Sequence, residues 1–116
     1  GTFILPRLIG FQRATALMML GDKVSATDAF QMGMIYRVTE DDKLMETALG
    51  IAKTLSEMPT KALGLTKRLL NEGLTNSLEQ QLIREGQEQV VAAGTSDFRE
   101  GIAAFMEKRK ANFQGK

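Results

Sequence analysis

The sequence predicts a mainly α fold with at most one short strand. Apolar residues recur at helical spacing along most of the 116 residues. Glycines and capping residues interrupt that pattern at short intervals. Only one stretch is enriched in β-branched and aromatic residues. Apolar residues make up 43% and charged residues 25%, ordinary values for a chain that buries a core.

The elements follow in order. Phe11–Leu20 is rich in good helix formers and ends at Gly21, suited to the left-handed position after a helix. Ser25 can cap the N–H of Asp28 and open a second helix, which Gly33 stops. Met34–Thr39 holds Ile35, Tyr36, Val38 and Thr39 and is the one candidate strand. Glu40, Asp41 and Asp42 place acids at the start of the next helix, where the dipole favours them. Leu44, Ala48, Ile51, Ala52 and Leu55 then form one apolar stripe.

Pro59 ends that helix and suits the first position of another, whose apolar face is Ala62, Leu63, Leu65, Leu69 and Leu70. Glu72-Gly73 closes it. Ser77-Leu78-Glu79-Gln80 is a capping box that opens a helix through Leu82, Ile83, Val90 and Val91 to Gly94. Ser96 or Asp97 caps the last helix, which carries Ile102, Phe105 and Met106, followed by Lys108-Arg109-Lys110 and a tail to Lys116. About six helices with short joints pack as antiparallel neighbours in one compact unit. No repeat or linker divides the chain.

Composition excludes several classes of function. The fifteen basic and fourteen acidic residues leave a net charge of +1, without the basic excess of a nucleic-acid-binding surface. With no Cys and no His, the chain has no disulfide, no Cys/His metal site and no Ser-His-Asp triad. A chain without Cys suits a cytoplasmic setting. No apolar run approaches the ~18 residues of a membrane helix, and Gly1–Gly10 does not read as a signal peptide. A start at Gly1 instead of Met fits a piece of a longer protein. The glycines form no phosphate-cradling loop. The seven Met residues read as core filler.

The carboxylates lie mostly at helix starts or on polar faces. Glu85 and Glu88 share a face among glutamines and read as solvated, so no residue is assigned as catalytic. Lys108-Arg109-Lys110 beside Phe105 and Phe113 supports two readings. One is a cationic cap on the helix dipole. The other is an anion site with an aromatic wall, suited to a nucleotide or phosphate group.

Three segments resemble a known family. Gly1-Thr2-Phe3-Ile4-Leu5-Pro6-Arg7-Leu8-Ile9-Gly10 is similar to the GGT-x-x-L-x-R-x-x-G stretch of the crotonase superfamily, the enoyl-CoA hydratases and isomerases. Leu20-Gly21-Asp22-Lys23-Val24-Ser25-Ala26, with Asp28-Ala29 and Gly33-Met34-Ile35, resembles its TG-x-x-[IL]-S-A segment and the A and G-[LM]-[IV] that follow. The run Asp97 to Arg109 resembles its D-x-x-EG-x-x-AF-x-EKR motif. The order and spacing fit, so the resemblance covers all 116 residues. Pro59–Lys67 and the ending Phe113-Gln114-Gly115-Lys116 look most like the phenylacetate-pathway isomerases.

The resemblance implies that residues 1–116 are a single compact multi-helix C-terminal region of the crotonase fold. The N-terminal α/β spiral core, with its oxyanion-hole amides and carboxylates, would belong upstream. The parent would act on acyl-CoA thioesters through an enolate, with no covalently bound cofactor. This region would drive trimer formation, often as a dimer of trimers, and cap the CoA moiety. In the family, the residues matching Phe105 and Lys108 reach a neighbouring subunit's CoA near the adenine and its phosphates. At i and i+3 they share a face if the helix continues through Lys108. The competing expectation is a stand-alone helical protein-interaction module with no small-molecule ligand.

Overall fold

A computed structural model describes residues 1–116 and contains helices but no strand. The helices are α1 (Leu5–Ile9), α2 (Phe11–Leu20), α3 (Ala26–Gln31), α4 (Leu44–Ser56), α5 (Thr60–Glu72), α6 (Leu78–Ala93) and α7 (Ser96–Glu107), with a 3-10 turn at Asp41–Lys43 before α4. None is long and apolar enough to cross a membrane. The residues gather into two compact units, Gly1–Thr47 and Ala48–Lys116, where the pattern predicts one. The boundary falls inside α4. This helix forms as its periodicity predicts, yet buries none of its residues, so its apolar stripe is not core within this chain.

In the first unit, α1 and α2 pack together across Gly10, and Ile9, Ala14 and Ala29 are its buried apolar residues. The predicted helix Phe11–Leu20 is present, with Gly21 left-handed at φ 71° and its N–H bonded to the Leu17 carbonyl. Ser25 caps α3 by accepting the Asp28 N–H at 3.1 Å and donating its own proton to the Asp28 carboxylate at 2.6 Å. Helix α1 is an addition to the predicted set. It has Pro6 in its first turn, and the Arg7 guanidinium lies 3.7 Å from the centroid of the Phe3 ring.

Met34–Thr39 is not a strand. Its residues fit an extended backbone, but a strand also needs a neighbour for its hydrogen bonds, and the chain contains no other strand.

In the second unit, α5 and α6 form an antiparallel hairpin tied by Arg84–Glu72 and Arg68–Glu88, with Arg84 also paired to Glu88 within α6. Arg84 Nε lies 3.0 Å from Glu72, Arg84 Nη2 lies 2.8 Å from Glu88, and Arg68 Nη1 lies 3.3 Å from Glu88. Gln81 donates to the Leu69 carbonyl at 3.1 Å and accepts from Asn76 at 3.0 Å. Glu88 is buried, which corrects its reading as part of a solvated face, whereas Glu85 is exposed as expected. The two guanidiniums compensate its desolvation. The apolar residues Leu82, Ile83, Val90 and Val91 are exposed. Leu65 and Ala104 are the buried apolar residues of this unit.

Two helix starts differ from the sequence reading. Pro59 is the residue before α5, one place earlier than expected. Thr95, not Ser96 or Asp97, caps α7. Its hydroxyl accepts the Phe98 N–H at 3.0 Å and donates to the Ala92 carbonyl at 2.6 Å. The Ser77–Gln80 capping box is complete, with both reciprocal bonds present.

These caps generate a ranked expectation. Ser77→Ala should lower unfolding free energy by about 1 kcal/mol. Thr95→Ala should cost at least as much, because the buried hydroxyl ties α7 to the end of α6. Thermal or urea unfolding of the two variants checks both the size and the order.

Candidate functional site

The site proposed from sequence lies at the C-terminal turn of α7. The helix stops at Glu107, one residue short of what a shared helical face for Phe105 and Lys108 requires. Lys108 takes the left-handed conformation, φ 54° and ψ 38°, and is the only residue other than glycine with positive φ. Its N–H donates to the Phe105 carbonyl at 3.3 Å, and the Arg109 N–H donates to the Ala104 carbonyl at 3.0 Å. This is the pair of bonds that closes a helix when a left-handed residue follows it. Phe105 and Lys108 are thus tied together through one backbone hydrogen bond.

The Phe105 ring is 82% exposed, so it is not core within this chain. The basic triplet does not act as one cluster. Arg109 forks onto Glu100 with its two terminal nitrogens at 2.6 and 2.9 Å, and its Nε reaches Glu107. Lys110 pairs with Glu57 at 3.1 Å. Lys108 has no carboxylate within ion-pair distance and is the cation of the three left free. Phe113 is half-buried, 3.6 Å from where a Cβ at Gly101 would lie, and lines a cleft with Ser56, Glu57, Lys110, Ala111 and Asn112.

Two carboxylates on α7 have roles that the sequence reading missed. Asp97 is 3% exposed, and its carboxylate accepts the N–H groups of Gln114 and Gly115, each at 2.7 Å. Glu100 accepts the Asn112 N–H at 2.8 Å besides its fork from Arg109. The Asp97 N–H and the Ser96 hydroxyl both donate to the Lys116 carbonyl. The tail therefore runs back along α7, held at successive turns. Gly115 has φ 75°, and a Cβ there would come within 2.5 Å of the Thr60 hydroxyl, so both conformation and space select glycine. Two carboxylates three apart at a helix start, followed by Arg just past its end, are the sequence signal for this arrangement.

The electrostatics follow from these contacts. Hydrogen bonds from Arg109, then from the Asn112 N–H, hold the Glu100 carboxyl down at about 2, against an ordinary 4.5. Arg84 depresses Glu72, and Lys110 depresses Glu57, in each case chiefly through a hydrogen bond. The Arg84 and Arg109 guanidiniums are pushed up by the same pairs. A depressed carboxyl adds stability above its unfolded value and loses it as pH falls through the folded one. Stability should therefore show no loss from these groups between pH 7 and about 5, then fall from about 4.5 towards 2. Circular-dichroism melts across pH, repeated with Glu100→Gln to flatten part of the acid limb, measure this.

Comparison with known proteins places the chain. A profile described as enoyl-CoA hydratase/isomerase matches residues 1–116. The chain is 43% identical, over all 116 residues and 44% of the relative's length, to the 1,2-epoxyphenylacetyl-CoA isomerase of Escherichia coli (strain K12). It is 34% identical, over 116 residues and 45% of that protein, to the crotonyl-CoA hydratase of Syntrophomonas wolfei subsp. wolfei. The crystal structure of an enoyl-CoA hydratase/isomerase from Cupriavidus metallidurans CH34 superposes with a TM-score of 0.91 and 32% identity, over 98% of this chain and 43% of that one. The chain spans a little under half the length of the curated relatives it matches. With its profile matched from the first residue to the last and its helices those of the solved relatives, the chain belongs to the enoyl-CoA hydratase/isomerase family, within the crotonase superfamily.

Proposed function

We propose that this chain is the C-terminal oligomerisation and CoA-capping region of an enzyme acting on acyl-CoA thioesters through an enolate intermediate. The observation that carries the capping role is the pairing, at one helix end, of an 82% exposed Phe105 ring with Lys108, a cation free of any carboxylate. A ring packs on adenine while an ammonium meets a phosphate, and stacking of a base on an aromatic is worth about 1–3 kcal/mol. The match to less than half of each relative supports a parent that carries its catalytic groups elsewhere. There, backbone amides would stabilise the enolate oxygen and carboxylates would move the proton. No residue of this chain is assigned to that chemistry. The relative at 43% identity supports the isomerase reading of Pro59–Lys67 and the tail. A cytoplasmic setting belongs to the same proposal.

Self-association is supported by the surface. Phe3, Leu8 and Met18 are exposed, with Leu5 and Leu17 half-buried beside them in sequence, and Phe11, Met19 and Leu20 add to the apolar residues exposed on α2. Soluble monomers rarely leave such patches open. A trimer, or two trimers, is the arrangement proposed for the parent.

Three measurements test this function. The 116-residue chain alone should give no enoyl-CoA turnover above buffer, and should sediment as an oligomer at ~100 μM, where micromolar contacts are occupied. Turnover by the chain alone, or a sharp monomer, contradicts the assignment. In the whole enzyme, Lys108→Ala should raise KM for the CoA thioester roughly two- to fivefold while leaving kcat nearly unchanged. High salt should shrink that effect. An unchanged KM at low salt ends the CoA-capping role and favours a protein-interaction module instead.

A further inference from the structure

Lys108 occupies a conformation that a residue with a Cβ avoids. The left-handed region is disfavoured roughly five- to thirtyfold for such a residue, and glycine is the usual occupant of this position after a helix. Backbone strain of this kind persists where the surroundings over-determine it, and it concentrates at positions that do something. Here the surroundings are specific. The next residue, Arg109, is locked by a two-pronged fork onto Glu100, and Glu100 is itself fixed by the Asn112 N–H. One turn earlier on α7, the buried Asp97 carboxylate takes the Gln114 and Gly115 N–H groups. The chain leaving Lys108 is thus anchored on α7 at Glu100 and again at Asp97. No such bond reaches the Lys108 side chain, which is left free for a ligand.

From this geometry we infer that Glu100 and Arg109 form a positioning pair, a latch that holds Lys108 in its left-handed turn and so fixes where its ammonium stands relative to Phe105. The inference rests on the CoA-capping reading and adds to it the residues that set the geometry. The pair touches no substrate and acts through Lys108 alone. Its geometry requires a fork: a lysine at 109 keeps the charge but cannot grip both carboxylate oxygens in one plane. Glutamine at 100 keeps an oxygen for the Asn112 N–H but loses the charge that the fork requires. Freed of the latch, Lys108 spends only part of its time in the competent conformation, and apparent affinity falls by that fraction.

The test is a set of variants in the whole enzyme, assayed by steady-state kinetics on a CoA thioester at low salt, with melting temperatures recorded beside them. Lys108→Gly removes the ammonium and relieves the strain, so it should raise KM while holding or raising the melting temperature. Arg109→Lys and Glu100→Gln should each raise KM roughly two- to fivefold with kcat kept, and by no more than Lys108→Gly does. In a Lys108→Gly background, neither should raise KM further. A pair that matters only for folding would change KM by the same factor in both backgrounds, or lower kcat instead, and either result overturns the latch. A raised KM for Lys108→Gly with unchanged KM for both latch variants also overturns it and leaves CoA capping in place. An unchanged KM for Lys108→Gly itself overturns the capping role and the latch together. If Glu100→Gln melts below the assay temperature, Arg109→Lys and its double variant with Lys108→Gly decide the question alone.

Discussion

Two carboxylates, Asp97 and Glu100, govern the end of this chain. A helix has unsatisfied N–H groups at its start and favours negative charge there. In α7 the Thr95 hydroxyl takes the capping bond, which leaves the Asp97 and Glu100 carboxylates free to accept from elsewhere. They accept from the returning tail, at Asn112, Gln114 and Gly115. The requirement for glycine at position 115, where the returning tail meets Thr60, goes with this division of labour. Were Asp97 the cap, the tail would lose its deepest anchor.

The small core of the chain constrains everything else. Ile9, Ala14, Ala29, Leu65 and Ala104 are its only buried apolar residues, and three of the five are alanines. Area removed from water is the main favourable term in folding, and alanines supply little of it. The helices nevertheless carry well-formed apolar stripes, on α4 and α6 above all, whose residues stand exposed. The polar side of α6, through Gln81, Arg84 and Glu88, meets α5 instead. Such a distribution leaves the apolar faces of α4 and α6 uncovered within this chain.

How much of this was legible depended on whether the signal was local. Gly21, Ser25 with Asp28, and Ser77 with Gln80 mark helix ends through bonds spanning three or four residues, and each does in the structure what its neighbours in sequence indicate. Helix α1 escaped because one turn is too short to show periodicity, and its support comes from Pro6 and the Arg7–Phe3 contact. The choice among Thr95, Ser96 and Asp97 as cap turns on where Gln114 and Gly115 return, which no local pattern contains. The strand expected at Met34–Thr39 rested on side-chain shape, while its realisation depends on a neighbour. The chain's likeness to its family was readable at Phe105 and Lys108, but the turn that separates them from a common helical face was not.

The tail shows how far backbone order and side-chain burial diverge. Lys110, Asn112, Gln114 and Lys116 have exposed side chains, as a frayed terminus would. Their backbone is held differently: the Gln114 and Gly115 amides donate to a buried carboxylate, and the Asn112 amide to a carboxylate already gripped by an arginine. Amide protons exchange with solvent only when such bonds open. In deuterium exchange these three amides are therefore slowed until the tail lifts off its carboxylates, so that the last residues of the chain report on how firmly they are held against a helix that begins at Ser96.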